Sequence, residues 1–73
     1  MSERVGAGPF AQNLATALAR HGYTATTMAE RFGWNVRHCR RLSSGDVRPH
    51  YMEIPMIAYW LGLAPAKLAW ERP

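Results

Sequence analysis

Seventy-three residues make one small domain, and a chain of this size buries only about 60% of the surface it exposes when unfolded, so its stability alone is marginal. It carries a formal charge of +4 and 48% hydrophobic residues, yet has no apolar run near the roughly 18 residues that span a bilayer, and no charged-then-apolar leader. A membrane span is excluded and a cytoplasmic location expected; the single cysteine excludes an internal disulfide.

Residues 1–8, MSERVGAG, lack hydrophobic periodicity and read as a disordered N-terminal arm. Residues 9–73 read as one all-α domain, a compact bundle of about five short helices. Pro9 suits a first helical position, and Phe10, Leu14, Ala17 and Leu18 then recur as one buried face until Gly22 closes the helix. Thr24 is a natural cap for a second helix, in which Met28, Ala29 and Phe32 share a side and which Gly33 ends. Asn35 caps a third helix over 36–43. Two helices separated by so few residues cross steeply, and Ala29 supplies the small side chain that the crossing needs.

The third helix is the most informative. At about 100° per residue, Cys39 and Leu42 are its apolar anchors, while Arg37, Arg40, Arg41 and Ser44 occupy the opposite direction with Val36 and His38 on the flanks. Arg37, Arg40, Arg41 and Arg48 against Asp46 alone place three of the four net positive charges within residues 35–50. A local positive field of that kind is the mark of a polyanionic partner.

Residues 43–50, SSGDVRPH, form a loop by composition. Proline is tolerated only in the first turn of a helix, so Pro55 sets the start of the fourth helix near Met52 or Glu53. Ile54, Ile57, Ala58 and Leu61 make its core stripe and leave Met56, Tyr59 and Trp60 partly off it. Gly62 stops this helix, Pro65 starts a last one, and Leu68 and Trp70 supply its apolar face.

In order, Gly22, Tyr23, Thr24, Ala25, Met28, Ala29, Phe32, Gly33, Trp34, Asn35, Cys39, Leu42, Gly45, Pro49, Ala58, Leu61, Gly62 and Leu63 follow one pattern without a gap. On these residues the chain resembles the lambda-repressor-like (Cro/C1, XRE-type) helix-turn-helix DNA-binding domain. It departs from the family at Ala25, where most relatives carry a glutamine that helps to hold phosphate.

The resemblance implies that double-stranded DNA is the partner and that the third helix enters the major groove. Base reading falls on Val36, Arg37 and Arg41, with Arg41 also able to clamp phosphate. Phosphate contacts fall on Thr24, Thr26, Thr27, Asn35, His38, Arg40, Ser44 and Arg48, with His50 and Asn13 as weaker candidates. A homodimer built on Tyr59, Trp60, Leu68 and Trp70 would read an inverted repeat with half-sites about 34 Å apart. The economical role is a nucleoid-associated repressor that blocks polymerase by occupancy and regulates its own operon, of the kind phages and mobile elements use. The alternative on the same fold is a protein-interaction module such as an antitoxin subunit or phage adaptor.

Other chemistries find no support in the residues. No paired carboxylate, nucleophile–base arrangement or phosphate-cradling glycine loop marks an enzyme. His38 and Cys39 are adjacent on a helix and point about 100° apart, and His21 and His50 follow no ligand spacing, so no metal is expected. Neither a cofactor nor a small-molecule ligand is expected, and Cys39 reads as a small core hydrophobe.

Overall fold

The computed structural model describes residues 8–71. These form five α-helices, and no strand occurs among them: α1 (Gly8–His21), α2 (Ala25–Phe32), α3 (Val36–Ser44), α4 (Glu53–Leu61) and α5 (Pro65–Ala69). The arm expected over residues 1–8 lies outside the described residues except for Gly8, which opens α1 instead of preceding it.

Each helix ends where local chemistry ends it. Thr24 caps α2 with a reciprocal pair: its hydroxyl accepts from the Thr27 amide, and the Thr27 hydroxyl accepts from the Thr24 amide, both at 3.2 Å. Gly33 then adopts φ 72°, and its amide and that of Trp34 both donate to the Ala29 carbonyl, at 2.8 and 3.0 Å. The Asn35 side chain accepts from the Arg37 amide at 2.8 Å and starts α3 after a three-residue connection. Gly45 closes α3 at φ 89°; a Cβ there would only come into ordinary contact with Ala11 on α1, so it is the left-handed turn and not the packing that calls for glycine. Pro55 falls in the first turn of α4, as its missing donor requires.

The helices sort into two pairs gathered on α1. α2 packs on α3 and α4 on α5, while α1 meets α3, α4 and α5. Phe10, Leu14, Met28, Cys39, Leu42, Ile57 and Leu68 are sealed at the centre. Among the described residues α4 makes no close backbone approach to α2 or α3. Rings fill that gap: Tyr23 stacks on Trp60 at 4.8 Å, Trp60 meets the edge of Phe32 at 5.5 Å, and Phe32 stacks on Trp34 at 4.5 Å.

This packing corrects one expectation for the dimer surface and leaves Trp60 only partly available to it. Leu68 is fully buried, 0% exposed, because α5 lies across α1 and turns this side chain into the core. Trp60 is half-buried within the aromatic wedge, where its ring links α4 to the turn before α2 and to the last residue of α2. Tyr59 and Trp70 do face solvent, at 86% and 65% exposed.

Cys39 is buried as expected of a core hydrophobe. Burial pushes its thiol above the ordinary range, and the Glu53 carboxylate pushes it further in the same direction. An acid raised in the folded state makes folding less favourable as pH climbs past the unfolded thiol's range, where the unfolded chain releases a proton that the native one holds. Titration with a thiol reagent at pH 8 is expected to label the native protein only as fast as it unfolds, and the denatured protein at once. Rapid native labelling would show that the third helix does not close over this residue.

Candidate nucleic-acid interface

α3 is anchored on its inner side by Cys39 and Leu42, both fully buried. At 3.6 residues per turn this directs Arg37, Arg40, Arg41 and Ser44 outward, and all four are exposed. The Ser44 hydroxyl donates to the Arg41 carbonyl at 3.2 Å and the Ser43 hydroxyl to the Arg40 carbonyl at 3.1 Å, tightening the last turn beneath the arginines. Val36 is half-buried at the core edge, with only part of its side chain turned outward.

Among the described residues only two pairs of a basic with an acidic side chain form, Lys67 with Glu71 and His38 with Glu53, the latter an ion pair only when the imidazole is protonated. No described carboxylate therefore neutralises Arg37, Arg40, Arg41 or Arg48, and the positive field of the α3 face is turned to solvent.

At the start of α2 the hydroxyls of Thr24 and Thr27 are engaged with the cap and with each other at 3.2 Å, so their first task is local. Thr26 is exposed and makes no side-chain hydrogen bond among the described residues. Ala25 is half-buried against the core, which explains why this position tolerates a side chain with no polar reach. The Asn35 oxygen is taken by its capping bond, leaving its amide nitrogen outward.

Two of the expected phosphate contacts, His38 and Asn13, are committed elsewhere, while Arg48 and His50 are exposed. His38 does not project as a lone cation: its Nε2 meets Glu53 Oε2 at 2.8 Å, and its ring lies edge-on to Trp34. This pairing turns the imidazole toward Glu53 at the start of α4. Asn13 is also committed, because its amide nitrogen donates to the Leu68 carbonyl at 2.9 Å and the Glu71 carbonyl at 2.7 Å, fastening the end of α5 to α1. Arg48 lies beside Phe10, Tyr51, Ile54 and Trp70 around a small cavity of about 180 Å³, at the edge where α1 meets α5. His50 is exposed, stacks on Tyr51, and accepts from the Met52 amide through Nδ1 at 3.2 Å.

Sequence reading missed Glu53. Its Oε1 accepts from the His50 amide at 2.8 Å, while its own amide donates to the His50 carbonyl at 2.8 Å. Only the carboxylate half resembles a capping box: the Glu53 amide goes to the His50 backbone carbonyl as in a turn, the His50 ring takes the Met52 amide, and Met52 at the cap of α4 makes no side-chain bond. The glutamate three residues after His50, at the start of an apolar run, was the available signal.

Among the described residues no group of three His, Cys, Asp or Glu is placed to hold a metal ion, and no helix is long and apolar enough to cross a membrane. No family model, curated protein or solved structure matches the chain.

Proposed function

We propose that this chain is a sequence-specific double-stranded DNA-binding regulator of the lambda-repressor-like helix-turn-helix kind. One observation carries the reading: α3 follows α2 after three residues, buries only its Cys39 and Leu42 side, and turns three arginines outward with no described carboxylate to answer them. A nine-residue helix of that shape fits the major groove of B-DNA, which is about 12 Å wide.

In this reading Arg37 donates two hydrogen bonds to O6 and N7 of a guanine and Val36 lies against a thymine methyl. Arg41 reads a base or holds phosphate, and Arg40, Ser44 and Arg48 hold phosphates. The open amides at the start of α2, with Thr26 beside them, receive a backbone phosphate and set the docking angle. Two copies meeting through Tyr59 and Trp70 read an inverted repeat and repress by occupancy.

Selection of bound sites from a random duplex pool tests this directly. The expected result is an inverted repeat with half-sites about one helical turn apart, bound roughly a thousandfold or more tighter than scrambled DNA. Recovery of nothing above a salt-sensitive background would defeat it.

A second reading has its own observation. Tyr51, Met52, Met56, Tyr59 and Trp70 are all exposed, and α4 carries apolar residues outward as well as inward. A helix apolar all round is normally covered. On this reading the fold is a protein-interaction module, and failure of the DNA selection together with a stable complex of defined stoichiometry would favour it.

A further inference from the structure

α4 approaches neither α2 nor α3 along the backbone, so apart from their common packing on α1 and the shared core, what joins the arginine helix to α4 and the loop before it is side-chain bridges. One of these is the aromatic wedge. The other is a single carboxylate: Glu53 Oε2 meets His38 Nε2 at 2.8 Å, and Glu53 Oε1 accepts from the His50 amide at 2.8 Å. Its side chain is only 16% exposed and that of His38 38%, so their contact is part-buried, while the bond from the His50 amide lies at the exposed edge.

An anion beside a surface meant for phosphate would ordinarily oppose binding. Here both oxygens face donors of the protein itself, and the group sits in the first turn of α4, where the helix dipole favours negative charge. His38 lies one residue from Arg37 and two from Arg40, so a tether on its ring fixes the rotation of the arginine face.

We propose that Glu53 is a positioning residue: its carboxylate straps His38 of α3 and the His50 amide to the start of α4, and thereby holds Arg37, Arg40 and Arg41 in the orientation in which they meet DNA. The proposal rests on the DNA-binding reading, and it assigns His38 to the strap instead of to phosphate.

The test uses the full chain, with the duplex obtained by selection as probe. In Glu53→Ala, amide exchange at His50 is expected to rise about tenfold, as expected on losing a hydrogen bond to a charged acceptor. The ¹⁵N resonance of His38 Nε2 should shift as its partner is removed. Affinity for the duplex should fall about tenfold, within the range of couplings between contacting groups. Glu53→Gln, whose carboxamide offers an oxygen to His50 and an N–H to a neutral His38, should restore affinity to within about threefold and keeps the test open if the alanine variant does not fold.

The pair of His38→Ala and Glu53→Ala separates a strap from a direct contact. If His38 acts through Glu53, the double variant binds no more weakly than Glu53→Ala alone. Additive losses would mean that His38 meets phosphate itself, and would overturn the proposal. Unchanged His50 exchange in Glu53→Ala would overturn it too, as would a loosened strap with undiminished affinity. A wild-type chain that binds no selected duplex defeats the DNA reading, and with it this role, before any variant is made.

Discussion

Leu14→Ala is expected to destabilise the domain by about 2–5 kcal/mol, the ordinary loss when a sealed leucine is cut back and its neighbours close only in part. Leu14 is 0% exposed on α1, the helix on which both helix pairs are gathered. Small domains have about 5–15 kcal/mol in total and one of this length lies toward the low end, so the variant should be partly unfolded at ambient temperature. Urea and thermal melts followed by helical circular dichroism measure this, and a loss below about 1 kcal/mol would mean that the core does not close around α1. Met28→Ala should behave alike, since it seals the other end of the same core. Tyr59→Ala is the contrast. With 86% of its surface exposed it should change monomer stability by no more than about 0.5 kcal/mol, and any larger, concentration-dependent effect would identify it as an interface residue.

The second large effect concerns binding. On the proposed DNA-binding reading, Arg37→Ala should cost about 1–3 kcal/mol against the preferred site and relax specificity at one base position in each half-site, because an arginine–guanine pair discriminates by that amount. Arg48→Ala should instead weaken binding on all sequences alike and lower the slope of log affinity against log salt by about one. Their surroundings give the physical reason for the split. Arg37 is in the first turn of α3, the part of a groove-bound helix nearest the bases. Arg48 lies in the loop after α3, beside Phe10 and Tyr51. Titrations of both variants on the selected duplex and a scrambled one, at two salt concentrations, measure the difference. Equal losses on every sequence would defeat the division between reading and positioning residues.

Much of the architecture was legible in the residues because its causes are local. Thr24, Asn35 and Pro65 start helices, Gly22, Gly33, Gly45 and Gly62 end them, and Pro55 confines the start of α4, all through interactions within a few residues. Periodicity likewise identified Phe10, Leu14, Ala17 and Leu18 on α1 and Ile54, Ile57, Ala58 and Leu61 on α4 as core, since a helix buries one stripe whatever it packs against. The outward set of arginines on α3 follows from the same geometry. Its two apolar anchors leave no other way to turn the helix.

What periodicity does not contain is which surfaces meet. Leu68 and Trp70 both read as the apolar face of the last helix, although two residues apart they lie about 200° apart at helical spacing; α5 buries Leu68 against α1, and Trp70, one residue past the helix, is exposed. Asn13 looked like an exposed polar residue until α5 brought two carbonyls, 55 and 58 residues away in sequence, to its amide. His38 became the partner of Glu53 across fifteen residues, and Trp60 joined Tyr23 and Phe32 across the gap that α4 leaves beside α2. The sequence by itself determined the helices, their ends and the arginine face, because caps, turns and helical spacing act over a few residues. Tertiary structure decided which side chains serve as fasteners between helices, because that depends on contacts between distant segments that no local pattern encodes.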